Sequence, residues 1–202
     1  MPPTRSTQML GAIADIYRAE NRPEARRTAD CLLSPSAAGS LQHHPACALD
    51  AQIRDAMAGS PHRAAAAILA AQDHIPWGTN PVADRMSDAA AAICAVATLL
   101  SPEGPIVVPD LRLGLFYQRP DSYYALHSHD ADETYVILAG HPVWTAGSDT
   151  RQRHPGDYIH HQSLLPHAFR TGPEGLLALW RWSGDVNTES YAFLDDPAAR
   201  GG

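Results

Sequence analysis

Residues 127–135, His127-Ser-His129-Asp-Ala-Asp-Glu133-Thr-Tyr135, carry the densest chemistry in the chain. Side chains two apart in a β-strand share a face. His127, His129, Glu133 and Tyr135 are therefore in phase if the short 130–132 turn keeps register. Two imidazoles and a carboxylate converging in this way suit a divalent transition metal, which takes nitrogen and oxygen donors of intermediate softness. Gly140 closes the turn that follows, and Pro155-Gly156-Asp157 opens a segment ending at Pro166-His167. A histidine there can complete the shell from a neighbouring strand. Seven of the eleven histidines lie between residues 127 and 167. His160 and His161 flank the second segment, and one of them must face inward if 158–161 is a strand. His43, His44, His62, His74, His141 and His154 have no partners in sequence and read as ordinary polar or packing residues.

These side chains need short strands to aim them, and the second half of the chain supplies the pattern. Residues 111–117, 123–127, 134–138, 143–145, 158–161, 167–170 and 176–182 are short apolar or alternating runs, each bounded by Gly, Pro or Asp turn signals. Many short strands at near-regular spacing predict a sandwich or barrel. The first half is different. Met9, Ile13, Ile16 and Tyr17 fall on one helical face within 6–21, and 28–33, 48–57 and 62–75 also read as helices. Ser60-Pro61 looks like an N-cap followed by proline at the first helical position. Pro76 to Pro81 breaks the pattern, and 87–100 reads as helix passing into strand. The expected organisation is a helical region over 1–100 that packs on a barrel over 101–202.

Composition narrows the function classes. The 202 residues are 45% hydrophobic and 18% charged, a globular balance. Lys plus Arg is 15 against 22 Asp plus Glu, a formal charge of −7, which argues against a nucleic-acid binder. The longest apolar stretch, 89–100, is about half of what a membrane span needs. Cys31, Cys47 and Cys94 are odd in number and widely spaced, as expected of reduced thiols in a cytoplasmic protein.

The pattern HxHxxxExxxxxxG, followed by PGD and PH, resembles the two metal-binding motifs of the cupin superfamily. That resemblance implies a mainly β fold, a jelly-roll barrel (double-stranded β-helix), here preceded by an α-helical N-terminal region. The second motif keeps only the glycine turn and the late histidine. Other features point further: Tyr135 two residues after the glutamate, Tyr123-Tyr124 ahead of the first histidine, Trp180 and Trp182 two apart in LALWRWS, and the helical segment in front. Together with GLFYQRP, YYALHSHDADETYVILAG, HPGDYIHH, PHAFRT and ALWRWSGD, they resemble the cupin-type dimethylsulfoniopropionate lyases, most of all the Q-type.

By that resemblance the chain would cleave dimethylsulfoniopropionate to dimethyl sulfide and acrylate by β-elimination, using one divalent transition metal (Fe, Zn, Mn, Co or Ni). The implied metal ligands are His129, Glu133 and His167, with Tyr135 as a fourth and His127 as the first histidine of the general motif. Tyr124 or Tyr135 would be the catalytic base. Strict alternation turns Tyr123 rather than Tyr124 inward, so either a bulge intervenes or one of these assignments fails. Trp182, Trp180, Tyr123 and Phe116 are the candidate substrate contacts, since aromatic faces attract a sulfonium cation, although barrel packing alone would also account for each. The expected partner is a small sulfonium molecule, with no nucleic acid and no membrane, for a monomer or homodimer. The rival readings are another cupin metalloenzyme, a dioxygenase or isomerase, and a small-molecule sensor that uses the helices as a binding module.

Overall fold

The computed structural model describes residues 2–196. Six helices come first: α1 (Arg5–Ala19), α2 (Pro23–Leu32), α3 (Ala37–Ser40), α4 (Asp50–Ala58), α5 (Ala65–Ala70) and α6 (Asp88–Ala91). A two-residue strand, β1 (Trp77–Gly78), lies between α5 and α6. Eleven strands follow: β2 (Cys94–Ser101), β3 (Ile106–Val107), β4 (Leu111–Gln118), β5 (Tyr123–Ser128), β6 (Asp132–Ala139), β7 (Val143–Ala146), β8 (Asp149–Gln152), β9 (Tyr158–His161), β10 (His167–Arg170), β11 (Leu176–Ser183) and β12 (Ala192–Phe193). The first long barrel strand thus opens at Cys94, upstream of the boundary at residue 101 expected from the change in patterning.

The strands form two sheets. The larger runs β1-β2-β4-β11-β6-β9, with β3 beside β2, and the smaller runs β12-β5-β10-β7-β8. All pairings are antiparallel except β2 with β3. Two facing sheets make the jelly-roll barrel that the resemblance implied. Gly140 ends β6 with φ +87°, and a Cβ there would sit 2.1 Å from the Gly175 carbonyl oxygen. Only glycine fits that close approach.

The larger sheet is buried on both faces, which is why all eight residues of β11 are buried and its strands read as apolar runs. One core lies inside the barrel and includes Phe116, Ile137, Trp144 and Phe169. The second lies outside it, where Met9, Ile13, Ile16, Tyr17 and Ile53 of the helices meet Leu113, Leu115, Val136, Leu138 and Leu179. Full burial of each such aliphatic side chain contributes about 1.5–3 kcal/mol. The helices are therefore docked along the back of the sheet that carries Glu133.

Two local expectations are corrected. The predicted 62–75 helix is only α5 with a 3₁₀ turn at Gln72–His74 behind it. Ser60 does not cap it: its hydroxyl donates to the Leu138 carbonyl at 2.6 Å and accepts the His62 N–H, tying the loop to β6. Strand β8 was not anticipated, because DTRQ is wholly polar; it is a sheet edge with mostly exposed side chains. Among the described residues no helix is long and apolar enough to cross a membrane, and the three cysteines are free thiols.

Candidate metal centre and cavity

Strand β6 turns Glu133, Tyr135 and Ile137 into the barrel. Its neighbours place Trp182 of β11 and His161 of β9 directly opposite Glu133, one on each side. From the smaller sheet, β5 and β10 pair His127 with His167 and Tyr124 with Phe169. The spacing is three residues on β5 against two on β10, so β5 carries a one-residue bulge at Ala125 and Leu126. The bulge lets Tyr124 and His127 face inward together. Tyr123 is thereby turned away from the barrel interior: its hydroxyl donates to Asp196 at 2.8 Å, and the Arg170 guanidinium lies 4.4 Å above its ring. It does not reach the cavity, a correction to its expected role as a substrate contact.

Glu133 is buried at the centre of four nitrogens. Its Oε1 accepts the Trp182 indole N–H at 2.7 Å. Its Oε2 lies 3.2 Å from His129 Nε2, 3.3 Å from His161 Nδ1 and 3.1 Å from His167 Nε2. Burial by itself would raise the Glu133 carboxyl, but the surrounding His129, His161 and His167 outweigh it and hold the group well below its usual range. Burial, reinforced by His167, pushes His127 well below its ordinary value and His161 down to about 4.

The Nδ1 atoms of His127, His129 and His167 lie 2.8, 3.1 and 2.9 Å from the backbone carbonyls of Ala125, Ala131 and Leu165. A carbonyl only accepts, so each Nδ1 carries the proton and each Nε2 of a neutral ring is bare. His167 Nε2 is buried with no hydrogen-bond partner although a carboxylate oxygen lies beside it. Two lone pairs at that separation repel unless a cation lies between them. The donor atoms of His127, His129 and His167 lie within 4.8 Å of one another, as do those of Glu133, His161 and His167. This donor set fits a divalent transition metal.

Above the cluster lies a cavity of about 60 Å³ walled by Phe116, Tyr124, Tyr135, Trp180, Trp182 and Tyr191, with Glu133 on its floor. One water fills roughly 10–15 Å³ on this measure, so the space suits a small molecule of a few heavy atoms. Phe116 packs edge-on against Tyr124 and Tyr135, and Trp180 anchors its N–H on the Leu115 carbonyl at 3.3 Å. Arg112 also borders the cavity, but Glu103 holds its guanidinium at 2.8 and 3.1 Å.

Three members of this site were missed from sequence. Asn80, from the 76–81 turn, donates from Nδ2 to the Tyr124 hydroxyl at 2.7 Å while its Oδ1 accepts the Val82 N–H. Tyr191 meets the same hydroxyl at 2.9 Å and stacks on His127. Trp144 donates its indole N–H to His161 Nε2 at 3.0 Å. None carries a motif of its own, so spacing holds no signal for them. Burial pushes the phenols of Tyr124, Tyr135 and Tyr191 up. The bonds from Tyr191 and Asn80 work against this at Tyr124, while the Glu133 charge adds to it at both Tyr124 and Tyr135.

Residues 21–178 match the model of the dimethylsulfoniopropionate lyase family. The chain belongs to this family. The lyase DddQ of Ruegeria pomeroyi is 37% identical over 91 residues, which span 45% of this chain and 45% of that protein, so the match covers less than half the length of the curated relative. The crystal structure of DMSP lyase DddQ from Ruegeria pomeroyi superposes with a TM-score of 0.60 at 26% identity, covering 90% of this chain and 95% of that one. A chain from the crystal structures of the DMSP lyases RdDddP and RnDddQII gives 0.69 over 95% of this chain and 98% of its own, a likeness of fold at 23% identity. The family match takes in β2 through β10 and the first residues of β11, and with them His127, His129, Glu133, Tyr135 and His167.

Proposed function

We propose that this protein is a metal-dependent lyase that cleaves dimethylsulfoniopropionate to dimethyl sulfide and acrylate, with a tyrosine as base. The observation that carries the reading is a buried His–Glu cluster of metal-binding composition on the floor of a small aromatic cavity. The candidate ligands are His127, His129, Glu133 and His167, with the Tyr135 phenol close to them. A divalent cation held by these residues would supply Lewis acidity, lowering the cost of negative charge that develops beside the substrate carboxylate.

The aromatic walls do the rest of the binding. Trp180, Trp182 and Phe116 offer π faces to the sulfonium end, each worth about 0.5–2 kcal/mol for a desolvated cation. Elimination then moves one proton and two bonding electron pairs of the substrate. A tyrosinate takes the proton from the carbon next to the carboxylate. That C–H pair becomes the new C=C bond, and the C–S pair leaves on sulfur as neutral dimethyl sulfide. The product is acrylate, and the phenol returns its proton to solvent before the next turnover.

Tyr124 is the better-equipped base. As a phenolate it would accept from Asn80 Nδ2–H and from the Tyr191 hydroxyl, two donors already in place. At Tyr135 burial and then the Glu133 carboxylate favour keeping the proton, whereas at Tyr124 that carboxylate weighs less than either donor bond. The test is headspace dimethyl sulfide from purified, metal-analysed protein beside a chelated control. Metal-dependent release with matching acrylate is expected. No release from fully metallated protein would overturn the reading.

A further inference from the structure

Two overlapping sets of donors compete for the cation, His127 with His129 and His167, and Glu133 with His161 and His167. They differ on whether His161 is a ligand. Trp144 decides it. The indole nitrogen has one hydrogen and no lone pair to offer, so it can only donate. It lies 3.0 Å from His161 Nε2, and both side chains are fully buried. His161 Nε2 must therefore be the bare nitrogen, and the proton of the neutral ring sits on Nδ1. Nδ1 is the atom that faces the cluster, 3.3 Å from Glu133 Oε2. The other three histidines have the opposite arrangement, with Nδ1–H on a backbone carbonyl and Nε2 bare.

We infer that His161 is a positioning residue rather than a metal ligand: it donates from Nδ1 to the ligand Glu133, and Trp144 sets the tautomer that makes this donation possible. This rests on the reading of His127, His129, Glu133 and His167 as the metal site. The packing holds the relay rigid. Trp144 stacks on Phe169 at 4.2 Å between ring centroids, and His161 stacks on His167 at 3.9 Å. Glu133 is thus gripped at both oxygens, by Trp182 at Oε1 and by His161 at Oε2, with the second lone pair of Oε2 left for the cation. Partners of this kind orient a ligand and raise metal affinity without touching the metal.

The experiment compares full-length wild type with His161→Asn, His161→Ala, Trp144→Phe and His167→Ala. Circular dichroism of each metal-free form confirms folding. Co(II) affinity is measured by chelator competition, and the ligand set by the visible Co(II) spectrum. The Asn side-chain N–H stands close to where Nδ1–H was, so His161→Asn should keep the wild-type spectrum and most of the affinity. His161→Ala and Trp144→Phe should keep the spectrum and bind roughly 10–100-fold more weakly. A changed spectrum in His161→Asn would make His161 a ligand and overturn the inference. So would wild-type affinity in both His161→Ala and Trp144→Phe. Wild-type affinity in His167→Ala would instead overturn the metal-site reading itself. Should either His161 variant fail to fold, Trp144→Phe alone decides, because it leaves every cluster residue in place.

Discussion

Trp182 donates its indole N–H to Glu133 Oε1 across 2.7 Å from the position directly opposite it in the β6–β11 ladder. One residue therefore orients the carboxylate and also presents a π face to the cavity. Trp182→Phe keeps an aromatic face but removes the donor. Metal affinity should fall roughly tenfold, as when other outer partners of metal ligands are removed, and KM should rise with the smaller face. Trp180→Phe is the control, because its N–H serves the Leu115 carbonyl, and it should leave metal affinity unchanged. Titration with a chromophoric chelator separates the two. Equal affinities would mean that Trp182 does not orient Glu133.

Tyr124→Phe should lower kcat by about 10²-fold or more, the range for loss of a general base, with metal content retained. Tyr135→Phe should retain more turnover. Asn80→Ala removes the donor to the Tyr124 oxygen along with the acceptor of the Val82 N–H, and should lower kcat by about tenfold with a smaller effect on KM. Dimethyl sulfide release measured beside metal analysis checks all three. If Tyr135→Phe is the dead variant and Tyr124→Phe the active one, the base is Tyr135.

Much of this site was legible because its members sit at strand spacing within a short motif. His127 and His167 meet through the β5–β10 pairing of the smaller sheet, Glu133 and Tyr135 face them from β6 of the larger one, and His129 lies in the turn that joins β5 to β6. The positions of Trp180 and Trp182 followed from strict alternation along β11. Alternation misplaced Tyr123, because the β5 bulge inserts a residue that hydrophobic patterning does not register. Asn80 and Tyr191 reach the cavity from irregular segments far apart in sequence, and periodicity says nothing about such segments. His161 was recognised as one of a pair, but its tautomer depends on Trp144, a contact between strands in different sheets. The helices on the back of the larger sheet were legible as elements from their periodicity. Their docking partner was hinted at only by the absence of polar alternation in β4, β6 and β11.

That docking has a polar centre open to test. Arg181 points away from the barrel interior, opposite in sense to Trp180 and Trp182, and donates to Glu20 Oε1 at 2.9 Å and Thr134 Oγ1 at 3.0 Å. Glu20 follows α1, so the pair joins the helical layer to the sheet, and both side chains are buried. Glu20→Ala leaves the Arg181 charge buried without its carboxylate partner. The expected cost is about 3–5 kcal/mol, read as a lowered urea midpoint. A Glu20→Leu, Arg181→Met double variant removes both charges and should recover much of the loss. A double variant no more stable than Glu20→Ala would place the cost in packing rather than in the stranded charge.

Acid should weaken the metal-free protein in a defined window. His161 is held at about 4 and His127 well below its usual value, mainly by burial. In the unfolded chain both return to about 6.5. Between those values the unfolded chain binds more protons than the folded one, so stability rises with pH there. The contribution is fully present above about pH 6.5 and is lost as pH falls toward 4. For His161 alone the difference amounts to about 3 kcal/mol. Paired surface carboxylates such as Glu103 and Asp110 are also held low, and they add their losses below the ordinary carboxylate range. Urea midpoints of chelator-treated protein from pH 7.5 to 4.5 should therefore fall most steeply below pH 6.5. His161→Gln, which cannot titrate, should flatten that fall. With metal present the drop should steepen, since protons compete for the same Nε2 lone pairs. A midpoint that stays level from pH 7 to 5 in the metal-free protein would show that these histidines are not held neutral by burial.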